Sequence, residues 1–290
     1  MKVRRFSEMS ALSPLRSKDS AVAKQLREQV ERDGGYYEGE LRLPKTEAEL
    51  TDFEADVRLH REAGASVARA VFTNGRRYEA LKSMDAFQSF EAQAAKTLAL
   101  VEPVLRKHRL KLAIENHKDH TAAELAALMR KTGSEWVGVL VDTGNNIALL
   151  EEPHAAVETL APFGLSVHLK DMAVQPNDDG FLLSEVPLGT SALDLPRIIA
   201  TLAKANPALV FNLEMATRDP LRIPCLPDSY FATFPERQAA RIDATMQWVK
   251  ANPPKQPPPR VSGKPTLQVL AEEETNNRHG LAWMKERIHA

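Results

Sequence analysis

The sequence predicts an α/β protein, a barrel of the (β/α)8 type assembled from parallel strand and helix units. Three observations predict it. Short apolar runs alternate along the chain with amphipathic helical segments, as βαβ units with covered strands require. Four successive strands end on a side chain able to bind a metal: Glu115, Asp142, His168 and Glu214. The first three of these lie close to one unit apart, at about 30 residues per unit in such a barrel.

The elements follow in order. Residues 1–33 read as a polar segment and a helix, AVAKQLREQVER, and GGYYEGELRLP at residues 34–44 as the first strand. From Thr46 to Ala63 a capping-box pair, Thr46 with Glu49, opens a helix that puts Leu50, Phe53 and Val57 on one face. SVARAVF, residues 66–72, is the second strand. Asp85 to His108 carries Phe87, Phe90, Ala94, Leu98, Val101 and Leu105 at spacings of three and four, and Pro103 is expected to bend or end that helix. In LKLAIENHKDH, residues 110–120, an apolar run stops abruptly at Glu115, Asn116 and His117, the pattern of a buried parallel strand with chemistry at its end. Thr121 with Glu124 opens the next helix, AAELAALMRKTG, which stops at Gly133. The strand VGVLVD, a helix from Pro153 to Leu160 and the strand LSVH come next. A long loop, Met172 to Thr190, then leads to the helix LDLPRIIATLAKA and the strand LVFNLE, which ends at Glu214.

Beyond Glu214, Tyr230, Phe231 and Phe234 in RIPCLPDSYFATFPE form either a lid over a ligand or packing against the last helix, and Phe181 is a similar candidate. NPPKQPPPR is an extended, fairly stiff spacer. The expected division is a barrel domain over residues 1–250, with residues 1–33 atypical of it, a proline-rich linker over 251–265, and a helix over 266–290 with Leu281, Met284 and Ile288 on one face.

Composition narrows the function classes. A formal charge of −1 and a pI near 6.7 give no global attraction for nucleic acid or an anionic membrane. No apolar run approaches the 18 or so residues that span a bilayer, and MKVRRFSEMSALSPL lacks the apolar stretch of a secretion signal. The single cysteine, Cys225, excludes an internal disulfide and a cysteine-based zinc site and suits a reducing cytoplasm. The expectation is a cytoplasmic protein without a nucleic-acid or membrane partner.

In a barrel of this kind the strand ends converge at the carboxyl mouth, where such enzymes keep their chemistry. Glu115, Asp142, His168 and Glu214 would meet there as three carboxylates and one imidazole. That set is hard and oxygen-rich, suited to one divalent ion such as Mn²⁺, Mg²⁺ or Co²⁺, with Zn²⁺ also accommodated.

The motifs IENH (114–117), VDTGN (141–145), HLKD (168–171), PLGTSALD (187–194) and NLE (212–214), in this order, resemble the xylose isomerase-like TIM barrel superfamily of sugar phosphate isomerases and epimerases, over roughly residues 35–250. The resemblance implies a divalent ion held by Glu115, Asp142, His168 and Glu214, a carbohydrate substrate, and proton transfer beside a carbonyl through an enediolate. In ketose 3-epimerases the two glutamates that match Glu115 and Glu214 exchange the proton while also ligating the metal. His117 and Lys170 are further catalytic candidates, as general acid or oxyanion partner. Asn145 and Asp171 are candidates for holding sugar hydroxyls, and Arg218 and Arg77 for an anionic substrate group.

The chain departs from that pattern in two ways. Epimerases of the family carry a histidine three residues after the strand aspartate and an arginine six after the strand histidine; here Asn145 and Val174 stand there. A metal-dependent lyase on a keto-sugar or keto-acid is therefore the nearest alternative, ahead of a non-catalytic sugar sensor and a DNA repair endonuclease. The family's metal-bearing strands are the fifth to eighth, yet only two strands are evident before Glu115. The barrel is accordingly expected to be incomplete on its N-terminal side, with an open edge that a second copy covers in a homo-oligomer.

Overall fold

A computed structural model describes residues 10–13, 18–235 and 238–288, the first four by backbone alone. The strands are β1 (Ser10–Ser13), β2 (Tyr36–Glu40), β3 (Val67–Ala70), β4 (Lys111–Glu115), β5 (Val137–Asp142), β6 (Gly164–Leu169), β7 (Asp171–Asn177), β8 (Gly180–Val186), β9 (Phe211–Leu213) and β10 (Leu221–Ile223). Between and after them lie the helices α1 (Ser20–Arg32), α2 (Leu50–Glu62), α3 (Arg77–Ala80), α4 (Met84–His108), α5 (Ala122–Thr132), α6 (Pro153–Leu160), α7 (Leu195–Ala205), α8 (Ala239–Ala251) and α9 (Thr266–Ile288).

Seven strands form one sheet in the order β1-β2-β3-β4-β5-β6-β9, with every pairing parallel. The sheet curls. Glu38 of β2 accepts a hydrogen bond from Ser166 of β6 and one from Asn212 of β9 at 3.4 Å, contacts that a flat sheet would separate by several strands. The result is an incomplete (β/α) barrel whose edges, among the described residues, are β1 and β9. The strand β1 falls in the segment read from sequence as polar and helical; SALS has only two apolar residues, too weak a pattern to mark a strand.

Local signals account for most elements. Thr121 and Glu124 form a reciprocal capping box at α5, which ends on Gly133 at φ 60°. The helix α7 starts on Asp194, which accepts from Arg197 N, and buries Leu195, Ile198, Ile199 and Leu202 against the sheet. Two expectations need correction. Thr46 makes no side-chain cap, because Glu49 Oε2 instead accepts from Lys45 N at 2.7 Å; a 3₁₀ turn precedes α2. Pro103 does not end α4, which runs on to His108.

The largest correction concerns residues 172–190, which are not a loop. β7 and β8 pair as an antiparallel hairpin joined at Asp178 and Asp179, and β10 adds to β8. Gly180 closes the turn at φ 153°, where a Cβ would stand 2.1 Å from Ile223 O. Phe181 is buried within this sheet. Tyr230, Phe231 and Phe234 are buried too, with Tyr230 stacked on Tyr78 and donating to Ala148 O at 2.6 Å, so these aromatics pack rather than cover a ligand. The helix α9 seats Met284 and Ile288 in the core. No helix among the described residues is long and apolar enough to cross a membrane.

Candidate metal centre

Glu115, Asp142 and His168 sit at or next to the carboxyl ends of β4, β5 and β6, and Glu214 directly follows β9. Parallel register sets Asp142 opposite His168 and His168 opposite Asn212, so the side chains project into one mouth. One ligand atom from each of the four lies within 4.8 Å of every other. That spread is slightly wider than the roughly 4 Å separating two ligands across one ion at bonds near 2.1 Å. The donor set also fits: three carboxylates and an imidazole suit a hard or borderline divalent ion.

Each carboxylate is held. Asp142 Oδ1 accepts from Gly144 N at 2.9 Å and Asn145 N at 3.0 Å, and the side chain of Asn116 pairs with both Asp142 N (2.8 Å) and Asp142 O (2.9 Å). At Gly144 a Cβ would come within 2.6 Å of Met172 Cγ, so a larger residue there would displace the buried Met172 side chain. Asp142 Oδ2 accepts no hydrogen bond among the described residues; Lys170 Nζ lies 2.9 Å away in an ion pair outside hydrogen-bond geometry. Glu115 accepts from Asn145 Nδ2 (2.9 Å) and Arg69 Nε (2.5 Å), and Arg69 also pairs with Glu40. Glu214 Oε2 lies 2.6 Å from His168 Nδ1, and its Oε1 lies 2.9 Å from Lys170 Nζ.

These partners decide the charge states. Burial opposes ionisation of Glu115 and of Glu214, but Arg69 and His168 outweigh it at the first and Lys170 and His168 at the second, so both stay below the usual carboxylate range. At Asp142 burial prevails over Lys170, and with Glu214 and Glu115 nearby its pKa is pushed up to about 6. Burial disfavours the Lys170 ammonium, yet Asp142, Glu214 and Glu185 raise its pKa above the usual lysine value. The hairpin β7–β8 is what brings Glu185 within 3.5 Å of Lys170 Nζ.

The other sequence candidates divide. Asn145 and Lys170 are buried in the cluster. His117 is half-buried, with Nδ1 3.2 Å from Thr73 O, and burial lowers its pKa. Arg218 is half-exposed and pairs with Glu185. Asp171 faces away from a ligand role: its oxygens accept from Met172 N (2.8 Å), Ser191 N (3.0 Å) and Leu193 N (3.4 Å), which pins the loop after β8. Arg77 is not brought to the cluster. It is buried between the rings of Phe87 and Phe234, at 3.6 and 4.1 Å, and donates to Thr233 and Glu124.

Sequence reasoning missed Glu38, Arg69, Lys118 and Glu185. Glu38 is fully buried below the cluster, 3.8 Å from His168 Nε2, and burial raises its pKa. Lys118, three residues past Glu115, is buried and donates to Asn145 Oδ1. A cleft of about 1140 Å³ is lined by Glu40, Phe72, Thr73, Asn74 and Phe90 among others, and none of the four cluster residues lines it.

The chain belongs to the xylose isomerase-like TIM barrel family, whose model matches residues 20–251. Among solved structures it is similar to a D-psicose 3-epimerase crystallised with D-fructose, at 14% identity and a TM-score of 0.59 over 94% of this chain and 85% of that one. A xylose isomerase-like TIM barrel protein from Mycobacterium smegmatis in complex with magnesium matches at 14% identity and a TM-score of 0.54, over 85% of this chain and 84% of that one. In sequence, 112 residues (38% of this chain) are 29% identical to a 3-oxo-isoapionate decarboxylase of Pectobacterium atrosepticum. The chain spans 41% and 26% of the lengths of the curated relatives it matches.

Proposed function

We propose that this chain is a divalent-metal-dependent isomerase or epimerase that moves a proton beside the carbonyl of a small carbohydrate, through an enediolate. The observation that carries the reading is the convergence of Glu115, Asp142, His168 and Glu214 at one barrel mouth. These four would hold the ion, and when bound it supplies Lewis-acid polarisation of a substrate carbonyl and the adjacent hydroxyl. Magnesium, manganese and cobalt suit the donors, and zinc is compatible. The similar structures with bound magnesium or with D-fructose support the same class of ligand.

The chain's own residues supply the proton steps. Glu115 and Glu214 come from β4 and the end of β9, with β5 and β6 between them, so they approach from opposite flanks of the cluster. Both are ionised, the state a base must have, and one takes the proton that the other returns. Lys170 is held as an ammonium by three carboxylates and acts as electrophilic partner to the oxygen that gains charge. His117, facing Thr73 O through Nδ1, keeps Nε2 for a substrate hydroxyl. Asn145 and Arg218 are the remaining contacts to substrate polar groups.

A second reading is a lyase. Asn145 and Val174 occupy the places of the epimerases' histidine and arginine, and Val174 is a fully buried apolar residue of β7 with no polar group to offer a substrate. Loss of CO₂ from a β-keto acid leaves its electron pair on the carbon beside the carbonyl, the same enolate, and a proton then returns to that carbon. The decarboxylase among the relatives points the same way. The test is to incubate the Mg²⁺-, Mn²⁺- or Co²⁺-loaded protein with ketoses, keto-acids and 3-keto-glycosides and identify products by carbon NMR. A rearranged or inverted skeleton is expected; CO₂ or an expelled fragment selects the lyase, and no turnover contradicts both. We further read the protein as cytoplasmic, on its single buried thiol, and as a homo-oligomer in which a second copy covers an open sheet edge.

A further inference from the structure

We propose that Lys118 binds an anionic group of the substrate, so that the carbohydrate handled at this site carries a carboxylate. The inference rests on the catalytic reading above and narrows its substrate class. Lys118 lies on the loop after β4 and is 5% exposed. Its ammonium donates to one acceptor, Asn145 Oδ1, and among the described residues no carboxylate stands within ion-pairing distance of it. Every other cation buried beside the cluster is matched: Arg69 by Glu115 and Glu40, Lys170 by Asp142, Glu214 and Glu185. A buried ammonium with a single neutral partner is expensive, and such groups persist where a ligand completes them.

The backbone adds a second, independent mark. Lys118 adopts φ 68°, a left-handed conformation that is strained for a long-side-chain residue and that glycine or asparagine would adopt readily. From this backbone the buried side chain reaches Asn145. Asn145 in turn donates through Nδ2 to Glu115 Oε1 at 2.9 Å. An anion on Lys118 is therefore held one amide away from a proposed proton-transfer carboxylate.

A carboxylate suits Lys118 better than a phosphate does. With one N–H committed to Asn145, two remain, enough for a carboxylate; the guanidinium groups of the site, Arg69 and Arg218, are already held by carboxylates.

The test uses calorimetric titration of the Mn²⁺-loaded full chain with three matched six-carbon probes: 2-keto-D-gluconate, D-fructose and D-fructose 6-phosphate. Wild type, Lys118→Met and Lys118→Arg are compared, with Mn²⁺ affinity measured by electron paramagnetic resonance. The acid should bind most tightly, and Lys118→Met should weaken it by at least about tenfold, with D-fructose and Mn²⁺ affinity unchanged and Lys118→Arg recovering part of the loss. Equal weakening of all three probes, or loss of Mn²⁺, would make Lys118 a support for Asn145 and Glu115 instead. Preference for the phosphate, or no binding of any probe, also overturns the assignment. Solvent deuterium entering a neutral ketose independently of Lys118 overturns it while leaving the proton-transfer reading intact.

Discussion

Lys170 Nζ stands 2.9 Å from Asp142 Oδ2, and the same nitrogen is 2.9 Å from Glu214 Oε1, so one ammonium ties together two strand ends that carry proposed metal ligands. Lys170→Met would leave the buried Asp142 and the part-exposed Glu214 without their shared cation. In metal-free protein it should cost about 3–5 kcal/mol, the usual penalty for stripping one partner from a buried ion pair. Adding Mg²⁺ or Mn²⁺ should restore part of that loss and raise the wild-type melting temperature as the logarithm of ion concentration. Thermal melts of both proteins across a metal titration check this; a cation-independent melting temperature contradicts it.

Asn116 supports the centre without belonging to it. Its amide satisfies both backbone groups of Asp142 and also donates to Asn146 Oδ1 at 2.7 Å. Asn116→Ala should lower stability by about 1–3 kcal/mol, since buried backbone groups lose their partners. It should also weaken metal affinity roughly 10- to 100-fold, as loss of a supporting shell does. Competition against a chromophoric chelator measures the second effect.

Arg77 separates fold from function. Its guanidinium lies between Phe87 and Phe234 and bonds to Thr233 Oγ1 and O at 2.8 and 2.6 Å, fastening the segment after β10 to the mouth. Arg77→Lys loses the planar fork and the stacking, and should destabilise the protein by about 2 kcal/mol or more. Metal affinity of the folded variant should stay at the wild-type level, as equilibrium titration well below the melting temperature would show.

Lys118 yields a pH signature. Burial, with Lys170 nearby, lowers its pKa from 10.5 to about 8. Because the folded pKa is the lower one, the unfolded chain binds more protons between these values, and stability from this group rises with pH across that window. Below pH 8 the penalty is present in full. Lys118→Met should therefore be more stable than wild type at pH 7 by about 1–2 kcal/mol, a gap that narrows toward pH 10.5. Denaturant unfolding of both proteins at several pH values reads it.

The strand ends were legible because each is an apolar run broken by a polar ligand-type residue, as at Ile114–Glu115 and Val141–Asp142. What lay hidden depends on the curl and register of the sheet. Glu38 sits mid-strand and meets Ser166 and Asn212 only because β2 bends round toward β6 and β9; Arg69 meets Glu40 and Glu115 across adjacent strands, a pairing set by a register that the sequence does not print. Lys118 and Asp119 follow the strand end as two charges, and nothing in the sequence marks Lys118 as buried against Asn145. Glu185 was hidden for another reason. Its hairpin buries apolar residues on both faces of β7 and β8, so period-two alternation is weak and the Asn177 to Gly180 turn was the sole clear mark. Arg77 misled because NGRR reads as an exposed basic turn, whereas Phe234, far along the chain, closes over it.

The central claim is that a carbon-bound proton is exchanged at the centre formed by Glu115, Asp142, His168 and Glu214. Proton NMR in D₂O of the Mg²⁺-loaded protein with the ketose, keto-acid and 3-keto-glycoside panel tests it most directly, with chelator-treated protein and Glu214→Gln as controls. Deuterium should enter a carbon beside a carbonyl in the metal-loaded wild type and in neither control. Exchange that persists in Glu214→Gln or after chelation, or its absence from every compound with the ion bound, would contradict the account.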